Sequence, residues 1–197
     1  MNKQQLKELV LQSLEHERGG IQVYQTALKC VLNDDLKEEF TKYLEQTRNH
    51  ERVLMQVCSK LGWDAEEPTS GRNIVKALGQ SLVQAMDTAL SEGPREAAEV
   101  VACECVVLAE TKDHADWELL KKCAEKASSA EKQALQDAAD EVEDEEDEHL
   151  YHSKGWCREL WLQSLGLKAV LPPPEERHHV TTAIGAARAE QASEKRR

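Results

Sequence analysis

Proline and glycine are scarce in this chain, five and nine among 197 residues, and aromatic side chains make up only 4% of it. With so few helix breakers and almost no β-branched runs, the composition points to helices rather than a sheet. Long apolar runs are missing too. Nothing approaches the roughly 18 apolar residues of a membrane span, and the opening "MNKQQLKELV" has no signal-peptide core. The expectation is a cytoplasmic chain with no membrane partner. Positive charge is also short, with 25 Lys and Arg against 37 Asp and Glu, net -12. A binder of nucleic acid must bring cations to its phosphates, so nucleic acid is excluded as a partner. Finally, the six cysteines contain no C-x-x-C pair. That removes a structural zinc knuckle or a rubredoxin-type iron centre and leaves the cysteines as reduced, mostly buried thiols.

What the chain does have is a series of long amphipathic segments. A capping box at Asn2 to Gln5 opens a helix that runs to about Val31, and "NDD" at 33–35 starts a second that ends at Leu61-Gly62. Residues 62–71 read as a loop. Residues 72–91 read as a shorter helix with Ile74, Val75, Leu78, Leu82, Val83 and Met86 on one side. Pro94 suits the first turn of a helix reaching about Ala127, and "SSAE" at 128–131 caps a last one that stops near Leu165-Gly166. The predicted fold is all-α: a four-helix bundle over residues 1–166, built as two hairpins joined by a crossover of about 30 residues with its own short helix. Residues 167–197 hold three consecutive prolines and few large apolar groups, and read as a flexible or partner-docking tail. His178 and His179 within it are a weak metal signal.

Steps of three and four residues pick out the inward face of each long helix. On the first it is Leu6, Val10, Ser13, Glu17, Gly20, Tyr24, Ala27 and Val31; on the second Leu36, Phe40, Tyr43, Thr47, His50, Leu54, Val57 and Leu61. The third gives Val100, Cys103, Val107, Glu110, His114 and Trp117, and the fourth Leu135, Ala139, Val142, Glu146, His149, Ser153, Trp156 and Leu160. Within the acidic run "DEVEDEEDEH", Glu146 shares the inward face with His149 while most of its neighbours face solvent; Glu145 takes its place if the register slips by one. His16 and His152 fall off these faces and read as surface. Buried carboxylates gathered at one level repel unless protons or a cation compensate them. Glu and His converging from four helices form the ligand set of di-iron and di-manganese carboxylate proteins, in which two helices give one Glu and two give Glu-x-x-His. "EDEH", Glu146 to His149, is of the second kind.

The helical region, about residues 3–165, resembles the ferritin-like superfamily. Its segment "DLKEEFTKYLEQTRNHERVLMQVCSKLG" is similar to the second helix of bacterial stress-associated, rubrerythrin-like bundles that lack a rubredoxin domain. The two hairpins also look like repeats, with Glu17 matching Glu110 and His50 matching His149. The resemblance implies Glu17 and Glu110 as single-Glu ligands, Glu146 and His149 as a complete Glu-x-x-His, and His50 as the remainder of another whose Glu is replaced by Thr47. That substitution implies an asymmetric pair of sites, weaker on the His50 side, with His114 as an extra or supporting ligand. It further implies iron, most simply a di-iron pair, or manganese. The implied activity is ferroxidase- or peroxidase-like chemistry on dioxygen or peroxide in metal or oxidative-stress handling, with self-association left open. The alternative is a metal-free or non-catalytic helical scaffold or stress protein.

Overall fold

The computed structural model describes residues 1–197. Five long helices carry most of the chain: α1 (Lys3–Cys30), α2 (Asp34–Leu61), α3 (Ser70–Glu92), α4 (Arg95–Lys126) and α5 (Ser129–Ser164); two short ones, α6 (Pro174–Arg177) and α7 (Ala183–Glu194), follow. The boundaries follow local chemistry. Asn2 Oδ1 accepts from the N–H groups of Gln4 and Gln5, Asn33 Oδ1 from Leu36 and Thr69 Oγ1 from Arg72, each satisfying amides that the first helical turn leaves free. Gly62 closes α2 in the left-handed region at φ 67, where a side chain would be strained. Pro94 sits one residue earlier than expected, as the N-cap of α4 rather than in its first turn.

Cross-helix contacts fix the directions. Tyr24 meets Glu110 and Glu17 meets Trp117, so α1 and α4 run antiparallel; Glu39 meets Trp156 and His50 meets Glu145, so α2 and α5 do as well. The short turns make α1/α2 and α4/α5 antiparallel hairpins. Every neighbouring pair in the square is therefore antiparallel, and the diagonal pair α2 and α4 must run the same way. A chain leaving the end of α2 has to travel back along the bundle before α4 can begin. Helix α3, about 35 Å long at 1.5 Å per residue, makes that return while packing on α1 and α4. Buried Arg72 ties its first turn down through Glu15 and the carbonyls of Ala65 and Glu67. Glu99 of α4 accepts from the N–H groups of Leu32 and Asn33, fastening one hairpin's turn to the other hairpin.

The inward faces are as expected except at three places: Leu61 and Val107 are half-buried, and on α4 Asp113 turns in where His114 was expected. Helix α3 buries Val75 and Met86, but Ile74 and Leu78 of its expected apolar side face solvent at 63% and 52%. The tail departs most from expectation. It folds back on α5, where Arg158 donates to both oxygens of Glu175 and fully buried Glu159 accepts from Val170 N–H, Ser193 Oγ and Arg197. Gly155 lets this strap approach: a Cβ there would lie 2.8 Å from Glu175 Oε2. Among the described residues, no helix is long and apolar enough to cross a membrane.

Candidate metal centre

Two apolar clusters fill the bundle, one around Tyr24, Phe40 and Trp156 and the other around Leu14, Leu54 and Trp117. Between them lies a polar level made by Glu17 of α1, His50 of α2, Glu110 and Asp113 of α4, and Glu146 and His149 of α5, none more than 4% exposed. Two overlapping triads have ligand atoms all within 4.8 Å of one another, Glu17–His50–Glu146 and Glu110–Glu146–His149. Glu146 belongs to both. Of the residues expected from sequence, five converge, and Glu146 rather than Glu145 is the inward member of the acidic run.

The polar atoms facing this centre lack ordinary partners. Glu17 Oε2, His50 Nδ1, Glu110 Oε2, Asp113 Oδ1, both oxygens of Glu146 and His149 Nδ1 are buried without a hydrogen bond. His50 Nδ1 lies 2.8 Å from Glu146 Oε1 and His149 Nδ1 3.4 Å from Glu110 Oε2, close but not directed as hydrogen bonds. The outer atoms of the same side chains are held. Tyr24 donates to Glu110 Oε1 at 2.8 Å, and Trp117 Nε1 donates to Glu17 Oε1 at 2.9 Å. His50 Nε2 pairs with Glu145 Oε2 at 2.8 Å, and His149 Nε2 with Gln46 Oε1 at 3.0 Å. An acceptor on Nε2 places the proton there and leaves the Nδ1 lone pair for a cation, the usual state of a metal-binding histidine.

These supports are related as the repeat in the sequence is. Each hairpin's first helix lends an aromatic donor to the other's carboxylate, Tyr24 to Glu110 and Trp117 to Glu17. Each hairpin's second helix lends a side chain to the other's imidazole, Gln46 to His149 and Glu145 to His50. The symmetry fails where Thr47 stands opposite Glu146: its hydroxyl donates to Tyr43 O in its own helix and offers the centre nothing. Asp113, missed by the sequence reading, is a further buried acid of α4 beside the triads, though it belongs to neither of them. His114 stands apart; its Nε2 bonds Asp147 Oδ1 at 2.6 Å away from the triads. After Glu110 the inward path steps three residues to Asp113 and four to Trp117, an order as compatible with helical period as the reverse. His16 and His152 are also not surface residues: His16 contacts Ala109 O at 3.0 Å, and His152 is 1% exposed.

The electrostatics are those of too many acids in too little solvent. Burial, and then Asp113 beside it, push the Glu17 carboxyl well above the ordinary carboxylate range. Burial and the carboxylates of Glu110 and Glu17 do the same to Glu146, and burial with Glu146 and Glu110 to Asp113. Burial also acts on Glu110, but the Tyr24 hydroxyl and His149, whenever that ring carries its second proton, outweigh it and hold the carboxyl below its usual value. Burial lowers His149, favouring the neutral ring. The three carboxylates and two imidazoles of the triads are oxygen and nitrogen ligands of the kind that could hold a metal ion. A cleft of about 200 Å³ between α4 and α5 has Glu146 in its wall together with His114, Lys121, Tyr151 and Thr182. A search with the sequence and the structure finds no matching protein family, curated protein or solved structure.

Proposed function

We propose that this chain is a ferritin-like, non-haem di-metal carboxylate protein that handles iron or manganese and acts on dioxygen or peroxide in ferroxidase- or peroxidase-like fashion. The observation that carries the reading is the pair of overlapping Glu/His triads contributed by four helices, whose inner atoms are buried without a hydrogen bond among the described residues. Buried acids and imidazoles whose outer atoms are tethered and whose inner atoms have no partner are costly unless a cation joins them. The alternation of antiparallel hairpins with a returning helix supports the ferritin-like assignment.

Glu17 with His50 would hold one ion and Glu110 with His149 the other, with Glu146 shared and Asp113 at the Glu17 side. Bound iron or manganese supplies the redox change and Lewis acidity that reduction of dioxygen or peroxide needs. The chain supplies the rest. Tyr24 and Trp117 orient the two outer carboxylates, Glu145 and Gln46 fix the imidazole tautomers, and the apolar clusters keep bulk water out. The cleft at α4/α5, which has Glu146 in its wall, would be the approach for small species.

The test is anaerobic reconstitution with Fe²⁺ or Mn²⁺, followed by elemental analysis and then exposure to dioxygen or hydrogen peroxide. About two equivalents per chain, with oxidation faster than for free metal and abolished in Glu146→Gln, is the expected result. No retained metal after reconstitution sinks the reading and leaves the helical-scaffold alternative.

A further inference from the structure

Helices α1 and α3 meet at a pair of glycines. A Cβ at Gly79 would lie 3.4 Å from Gly19 Cα, and one at Gly19 would lie 3.7 Å from Gly79 Cα, so the two backbones touch with no side chain between them. The angle between α1, α3 and α4 is left unfilled there, as an open cavity of about 260 Å³. Buried Val23 and Val75 and half-buried Leu82 line it. So do Leu78 and Leu108, which remain 52% and 61% exposed. Large apolar side chains left this open around a cavity are surface that an apolar occupant would remove from water.

The polar side chains of the lining are few and almost all engaged. Lys112 is the only Lys, Arg, Asp or Glu among them, and its Nζ donates to Asp116 Oδ2 at 2.5 Å. Ser81 Oγ donates to Leu78 O at 2.6 Å. His16 meets Ala109 O through Nε2 at 3.0 Å. A carbonyl can only accept, so the proton of the neutral ring sits on Nε2 and the lone pair on Nδ1. Among the described residues Nδ1 has no hydrogen-bond partner. Water needs two to four polar partners to settle in such a space, and the lining side chains offer one.

We propose that this cavity binds an uncharged, largely apolar molecule of one or two rings that carries a single hydroxyl or N–H group and donates it to His16 Nδ1. Size sets the upper bound. An apolar cavity of about 150 Å³ takes benzene, so one of about 260 Å³ has room for a fused pair of rings. Charge is selected against in both directions: an anion must draw Lys112 away from Asp116, and a cation meets no carboxylate of the lining. The site goes beyond the metal reading, because no member of the two central triads lines it.

The experiment titrates 1-naphthol, and 1-methoxynaphthalene as its analogue without a donor, into the full chain after chelator treatment, with sedimentation reporting the oligomeric state. One equivalent of 1-naphthol should bind per chain, about 3- to 10-fold more tightly than the methoxy analogue, which is the usual worth of one hydrogen bond. Its ring protons should show nuclear Overhauser effects to methyl groups of Val23, Val75 and Leu108. His16→Phe should abolish the preference between the two probes. Ser81→Trp, at an exposed position of the lining, should block both while leaving the melting temperature unchanged. No saturable binding up to about 1 mM, Overhauser effects to other residues, equal affinities for the two probes, or undiminished binding in Ser81→Trp overturns the proposal. A dimer that Leu108→Asp breaks and that takes up no 1-naphthol overturns it as well, assigning the face to a second copy. Metal is removed throughout, so the result stands apart from whether the central triads hold an ion.

Discussion

Asp113 and His114 divide one problem between them. Either could follow Glu110 on the inward face, because a helix of 3.6 residues per turn brings both i+3 and i+4 near the same direction. The structure buries Asp113 and gives the His114 imidazole to Asp147. With Thr47 bonded back to its own helix, the centre has one carboxylate fewer than the paired pattern implies, and Asp113 is a buried acid that could take that part once a cation is bound. Asp113→Asn should therefore weaken Mn²⁺ or Co²⁺ retention by about 10- to 100-fold, whereas His114→Asn should change it little. Competition against a chelator of known affinity measures both. No loss in Asp113→Asn would remove Asp113 from the ligand set, and a comparable loss in His114→Asn would return His114 to it.

At the level of helices, the sequence carried most of the boundaries because caps are local. Asn2, Asn33 and Gly62 each act on amides or carbonyls within a few residues, and no distant information is required to place them, whereas the Thr69 cap, which starts α3 two residues before the expected 72, was not read. The inward faces of α1 and α5 were likewise readable, since both helices keep one stripe against the core along their length. Three things were not. Helix α3 packs on one side of the bundle, so its apolar side is covered at Val75 and Met86 and open at Ile74 and Leu78. His152 looked like surface because the partners that bury it, Glu39 and Tyr43, come from another helix. The tail looked free because its attachment is polar: Glu159 and Arg158, unremarkable in a helix read alone, are its anchors. Burying the Glu175 carboxylate without its guanidinium removes charged hydrogen bonds, so Arg158→Ala should loosen the strap by about 2–3 kcal/mol. Hydrogen exchange should then accelerate in α7 while amides of α1 and α2 stay protected. Protection of α7 unchanged in that variant would show that the strap is held by something other than this pair.

The whole molecule carries an excess of negative charge, but only the part gathered between the apolar clusters governs its stability. Glu17, Asp113 and Glu146 are held above their ordinary values mainly by burial. For an acid whose folded value is raised, the folded state keeps the proton longer than the unfolded chain, so stability falls as pH rises from the unfolded value toward the folded one. His149 and His16, both lowered mainly by burial, act the other way and add stability as pH rises toward the ordinary histidine value of 6.5. The two contributions overlap in mildly acid solution, and comparison of variants separates them. In chelator-treated protein, Glu146→Gln should flatten the fall of Tm with rising pH relative to the wild type, while Glu143→Gln, exposed and paired with Lys121, should leave it unchanged. Each pH unit by which Glu146 is raised corresponds to about 1.4 kcal/mol, or roughly 3–5 °C for a chain of this size. Adding metal to about 100 times its dissociation constant should restore about 2.7 kcal/mol to the wild type and much less to Glu146→Gln, because the shared carboxylate is what both triads need. If the two variants instead show the same pH slope and the same metal response, the buried level is a set of protonated acids in a scaffold, and the cation has no part in holding the bundle together.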